Sequence, residues 1–166
     1  VGLVVDAPLS PASITAATLV GDVRVRSLTT SDSLYAGKCT VQRRQAGCAR
    51  FSYLGAGSRT PRRYRCQPDL VLAARAADLG VQALPPPEAE LVENRLRPVF
   101  LSTRYGDPGF GMLQMSSAAE IRTGSEGGAE MGAFGHRKLA VGEANLWAVL
   151  DEYLPFGLQA GVFYRS

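Results

Sequence analysis

His136 is the chain's one histidine, and Cys39, Cys48 and Cys66 are its three cysteines. Any Ser-His or Cys-His dyad must therefore pass through Gly135-His136-Arg137-Lys138, because such a nucleophile needs a base within hydrogen-bond reach. Cys48 lies among arginines, a setting that favours the thiolate. No nucleophile elbow of the form G-x-S-x-G is present; Gly55-Ala56-Gly57-Ser58 and Gly124-Ser125-Glu126-Gly127 do not fit it. The glycine-rich stretch 124–135 lacks the Lys-Ser/Thr ending of a phosphate-binding loop. Asp151 and Glu152 are adjacent, so on a helix they point in different directions and suit solvent better than paired acid–base work. Three cysteines plus His136 formally make a zinc set, but no C-x2-C pair occurs and His136 lies 70 residues past Cys66. The reading is that the chain is not an enzyme and uses no metal or cofactor. The catalytic alternative centres on His136 with Cys48 or a loop carboxylate.

Binding chemistry is better represented. Between Lys38 and Cys66 stand Lys38, Arg43, Arg44, Arg50, Arg59, Arg62, Arg63 and Arg65, with no Asp or Glu among them. The rest of the chain carries ten basic and fifteen acidic groups, so a formal net charge of +3 conceals a strongly polarised molecule. Arginine's planar fork suits bidentate carboxylate or phosphate contacts and stacking on aromatics, and Phe51, Tyr53 and Tyr64 are interleaved with these arginines. Two partners fit. A polyanion, either single-stranded nucleic acid or acidic polysaccharide, could run along the arginines. Alternatively, Glu120, Glu126, Glu130, Asp151 and Glu152, or a neighbouring subunit, could neutralise them. The second is preferred.

The segments that must hold these residues alternate apolar and polar positions. Asp22-Val23-Arg24-Val25-Arg26-Ser27-Leu28, Lys38-Cys39-Thr40-Val41-Gln42 and Cys48-Ala49-Arg50-Phe51-Ser52-Tyr53 each read as a strand. Gly21–Val25 aligns on Gly37–Val41 at an offset of 16, and Asp32–Tyr35 on Arg50–Tyr53 at 18. Short strands recurring at this period predict the stacked turns of a β-solenoid, with a small antiparallel sandwich as the alternative. Residues 1–54 hold about three such turns, and a coil needs neighbours or caps at both ends. The expectation is therefore that Val1 is not the natural start, or that another chain covers that end. No basic-then-apolar leader opens the sequence, so no signal peptide is read. The stretch from Ala7 to Gly21 is uncharged but broken by Pro8 and Pro11, which argues against membrane insertion.

After Pro68 the pattern changes, dividing the chain into residues 1–68 and 69–166. Asp69 to Gly80 predicts a helix with Asp69 as N-cap and Gly80 at its stop. Glu88 to Arg97 predicts another that Pro98 closes, and 102–136 reads as loops. Leu146, Trp147, Val149, Leu150, Tyr153 and Leu154 form an apolar stripe at helical spacing, ended by Pro155. Leu158 to Tyr164 reads as a closing strand, and the whole tail as a cap packed on the β region. For the cysteines, the spacing allows a Cys48–Cys66 disulfide, whereas small buried thiols are the reading adopted.

Several stretches together resemble a family of bacterial proteins. They are Asp32-Ser33-Leu34-Tyr35, Val41 to Tyr53, Arg59-Thr60-Pro61-Arg62-Arg63-Tyr64-Arg65-Cys66-Gln67-Pro68, Ser102 to Pro108, Gly128 to Phe134, Ala144-Asn145-Leu146 and Asp151 to Leu158. Members resemble the C-terminal part of longer proteins that begin with right-handed parallel β-helix coils, associated with contractile phage-tail-like particles. The resemblance implies a mainly β fold, a short right-handed coil followed by a helical, loop-rich C-terminal cap. It also implies a structural or protein-interaction module in a homo- or hetero-oligomeric assembly, located in the bacterial cytoplasm or the assembled particle. Arg43, Arg44, Arg50, Phe51, Tyr53, Arg62, Arg63, Tyr64 and Arg65 are the candidate docking residues, with Cys48 and Cys66 beside them.

Overall fold

The computed structural model describes residues 10–137 and 139–161. Nine short strands come first: β1 (Pro11–Thr15), β2 (Thr18–Leu19), β3 (Val23–Val25), β4 (Ser27–Ser31), β5 (Leu34–Tyr35), β6 (Cys39–Val41), β7 (Gly47–Arg50), β8 (Tyr53–Leu54) and β9 (Arg62–Tyr64). They pair only in parallel, into three sheets ordered β1-β4-β7-β9, β2-β5-β8 and β3-β6. Each strand thus stacks on its counterpart one turn along the chain, which makes a β-solenoid of about three turns. The antiparallel sandwich is thereby excluded.

The register follows the repeat in the sequence. Val23 lies opposite Cys39 and Val25 opposite Val41, the offset of 16 read from residues 21–25 and 37–41. The second alignment needs correcting: Leu34 faces Tyr53 and Tyr35 faces Leu54, an offset of 19 where 18 was expected. Two expected strands are also shorter than read. The segment 22–28 bends at Arg26 between β3 and β4, and 48–53 bends at Phe51 between β7 and β8. Alternation survives a corner, so the corners are invisible to periodicity. The bend before the second sheet is made by Ala16, Asp32, Phe51 and Arg65, stacked in successive turns with φ of 49°, 52°, 46° and 49°. That left-handed conformation is uncommon outside glycine.

Side chains alternate between the inside of the coil and its outer faces. Leu28, Tyr35, Cys39, Val41, Ala49, Leu54 and Cys66 fill the interior with Val23 and Val25. The Tyr35 hydroxyl donates to Thr30 Oγ1 at 2.9 Å, which satisfies both polar groups inside. At the bend, the Ser33 N–H donates to Ser52 Oγ at 3.1 Å, while each serine hydroxyl donates back to the carbonyl two residues earlier. Glycine is required where turns meet most closely. A Cβ on Gly37 would stand 2.3 Å from the Gly21 carbonyl oxygen.

Four helices follow: α1 (Asp69–Asp78), α2 (Pro86–Arg95), α3 (Ala119–Arg122) and α4 (Leu139–Tyr153). α1 matches its expected start, although Pro68 rather than Asp69 occupies the N-cap position. α2 begins two residues before the expected Glu88, because proline is tolerated in the first turn of a helix. Leu96, Leu113, Ile121 and Met131 from this half pack with Leu34 and Tyr53, on the outer side of the sheet β2-β5-β8. The loops add polar ties: the Gly132 N–H donates to the Asp32 carbonyl at 2.7 Å, and the Glu126 N–H donates to its carboxylate at 2.7 Å. Residues up to about 134 therefore flank the coil.

The tail differs from expectation. α4 starts earlier than the apolar stripe suggested, and Leu146, Trp147, Val149 and Tyr153 on it are exposed and belong to neither core. Residues 158–161 form no strand, and the remainder of that expected strand lies outside the described residues. Among the described residues, no helix is long and apolar enough to cross a membrane.

Candidate docking face and groove

Turn length shapes the surface that carries the arginines. At the corner leading from β3 to β4, Arg24 and Thr29 are five residues apart, and the equivalent positions Thr40 and Cys48 in the next turn are eight apart. In the turn after that, Arg59 and Arg62 are three apart. A long corner thus sits directly above a short one, and the turn at 42–46 overhangs the chain at 59–62. That turn is pinned by Gln42 and Arg43 N–H groups donating to the Val25 and Arg26 carbonyls at 3.0 and 2.7 Å. The Ala46 N–H closes it on the Arg43 carbonyl at 3.2 Å. Beneath the overhang runs an open groove of about 500 Å³, lined by Gln42, Arg44, Gln45, Thr60, Pro61 and Arg62.

Beside the groove lies the outer face of the four-stranded sheet. Its outward columns are Ser13–Thr29–Cys48–Arg62 and Thr15–Ser31–Arg50–Tyr64, with neighbouring rungs about 4.8 Å apart. Arg50 and Arg62 are exposed, and Tyr64 is 56% exposed. The Phe51 ring meets Tyr64 edge-on at 5.7 Å, and the Arg65 guanidinium stands 6.0 Å over the Tyr64 ring. A cation held near an aromatic ring is fixed in direction without losing its charge.

Two candidates leave this surface. Tyr53 is only 5% exposed: it faces outward from the second sheet but is buried under the helical half, where burial raises its phenol pKa. Arg63 falls in the inward column, opposite Ala49. Its guanidinium turns to Thr60 Oγ1 at 2.7 Å, the Ser58 carbonyl at 2.7 Å and the Asp69 carboxylate at 3.0 Å. It closes the last turn of the coil and is not free to bind. Alternation within β9 could have shown the inward side of Arg63, whereas the burial of Tyr53 comes from the helical half packed over it.

The cysteines also separate. All three are free thiols. Cys66 and Cys39 are buried in the coil, whereas half-buried Cys48 faces outward, so the Cys48–Cys66 disulfide is not formed. Burial pushes the Cys39 thiol up to about 11 and raises that of Cys66. Among the described residues, no cluster of His, Cys, Asp or Glu has metal-site geometry. His136 Nδ1 donates to the Ala133 carbonyl at 3.0 Å, and its ring lies 6.5 Å from that of Phe134.

Among the described residues, no ion pair joins the basic stretch to Glu120, Glu126, Glu130 or Glu152. Among the described residues, Arg63 is the one member of the basic stretch that forms an ion pair, with Asp69. Glu120 instead binds Arg95 at 2.7 Å, an interaction that lowers its carboxyl pKa. Glu130 is buried, and burial raises its pKa. Glu152 is exposed, and the side chain of Asp151 lies outside the described residues. Residues that sequence reasoning missed are Gln42, Gln45, Thr60 and Pro61. Their signal was the surplus length between Val41 and Gly47, which only the register converts into an overhang.

No family model matches the chain, and no curated protein or solved structure matches it.

Proposed function

We propose that this chain is a non-enzymatic docking module of a larger assembly, which holds an acidic partner protein against the arginine side of its coil. One observation carries the reading. Arg44, Arg50, Arg62 and Arg65 project from a hydrogen-bonded coil, and no ion pair within the described residues neutralises them. Solvated surface charge is common, but here the same stretch contains no carboxylate at all. A preformed backbone ladder also spares a partner much of the ordering cost of binding. The resemblance to phage-tail-like components, a right-handed winding of the coil and capping by the helical half belong to this same proposal.

Charge reversal tests it. Arg50→Glu with Arg62→Glu should remove the chain from the assembly that holds the wild type, as read by gradient sedimentation of cell extracts. Arg63 is left intact because its loss would disturb the coil. His136→Ala should have no effect. Unchanged sedimentation of the double variant would refute the docking role.

One observation favours a second reading, a polyanion ligand. The hydroxyls of Ser13, Thr15, Thr29 and Ser31 continue the arginine columns and could bind sugar or phosphate oxygens. Against nucleic acid, Tyr64 is the one strongly exposed aromatic in these columns, whereas single strands are held by several stacked bases.

A further inference from the structure

The groove beneath the 42–46 turn narrows the partner's chemistry, and this step rests on the docking reading above. Its two cations, Arg44 and Arg62, belong to successive turns of the coil, and Gln42 and Gln45 line the same trough. A glutamine side chain offers one acceptor and two donors, the complement of a peptide group. Arginine offers a planar fork for a carboxylate. The floor is Thr60 and Pro61, both buried, so the trough has a fixed bottom rather than a mobile one. No aromatic ring lines it on which a base could stack.

We propose that the groove binds an extended, acidic polypeptide segment of the partner. Carboxylates on that segment meet Arg44 and Arg62, and its backbone amides meet Gln42 and Gln45. About 500 Å³ accommodates a few extended residues. The overhang that forms the groove comes from three extra residues in one turn, the difference between offsets of 16 and 19. Those residues are not needed by the coil, since the preceding turn closes without them.

The test uses the whole chain and three fluorescein-labelled probes: an eight-residue peptide alternating Glu and Gly, its Lys counterpart, and an eight-nucleotide oligothymidylate. Anisotropy should show saturable binding of the Glu peptide only. Arg44→Ala and Arg62→Ala should each weaken it by about threefold to tenfold. Deleting Arg43, Arg44 and Gln45 restores the shorter corner and should weaken it at least about tenfold, with circular dichroism confirming the fold. Gln42→Ala with Gln45→Ala offers a milder variant that leaves the corner length unchanged. Glu-peptide binding that survives the deletion but is lost in Arg50→Glu with Arg65→Glu would overturn the groove and leave the docking face intact. Tighter binding of thymidylate would overturn the choice of a polypeptide. Binding of no probe would overturn the groove, and persistence of the native assembly would then separate that failure from failure of the docking reading.

Discussion

The backbone N–H of Ser33 donates to the hydroxyl of Ser52, 19 residues later, in the adjacent turn of the coil. Both serines are fully buried, so neither group has water as an alternative. The Ser52 hydroxyl also donates to the Arg50 carbonyl at 2.7 Å, fixing the bend that aims Arg50 outward. The surface that carries charge is thus held by a neutral ladder inside it.

Ser52→Ala leaves the Ser33 N–H buried without an acceptor. The expected cost is about 1–3 kcal/mol of unfolding free energy, read from urea denaturation. A loss within a few tenths of a kcal/mol would mean that the ladder contributes little.

Gly37→Ala places a methyl against the backbone of the preceding turn, where no side chain can yield. Overpacking of this kind costs about 1–3 kcal/mol, and thermal unfolding should show it. Gly127→Ala has open space around it and serves as the neutral comparison.

Native thiol labelling should modify Cys48 first and leave Cys39 and Cys66 protected, with all three reacting after denaturation. A single reactive thiol in the denatured, unreduced chain would instead indicate a disulfide.

Alkaline pH should destabilise the fold. The Cys39 thiol is pushed up to about 11 and the Tyr35 phenol up to about 12, both chiefly by burial. The ordinary values of these groups are 9.0 and 10.0, so the unfolded chain ionises first and the folded state binds the extra protons. Stability is therefore full below about pH 9 and falls as pH rises toward 11 and 12. Urea midpoints across that range should decline, and Cys39→Ala should flatten the early part of the fall. A midpoint that rises above pH 9 would contradict the buried placement of both groups.

Much of the coil could be read from residues alone because stacking demands repetition. Val23 over Cys39 was legible from Gly21–Val25 and Gly37–Val41, since the three extra residues fall after Val41 and leave the offset between these two stretches at 16. The next turn was misread by one residue because its extra length lies in an irregular corner, outside any alternating strand. Phe51 concealed a bend, as nothing in its side chain advertises a left-handed backbone. The arginine cluster was visible as composition, but the inward turn of Arg63 and the burial of Tyr53 depend on which face each occupies. The exposed apolar side of α4 shows the converse: helical spacing marks a stripe without specifying what covers it.

The docking role is tested most directly by sedimentation of the wild-type chain from extracts at low salt, at high salt and after nuclease treatment. Charge-held docking predicts a large species at low salt that survives nuclease and dissociates as salt rises, because screening weakens exposed ion pairs. A single chain at every salt concentration, or a large species that collapses on nuclease treatment, would contradict it.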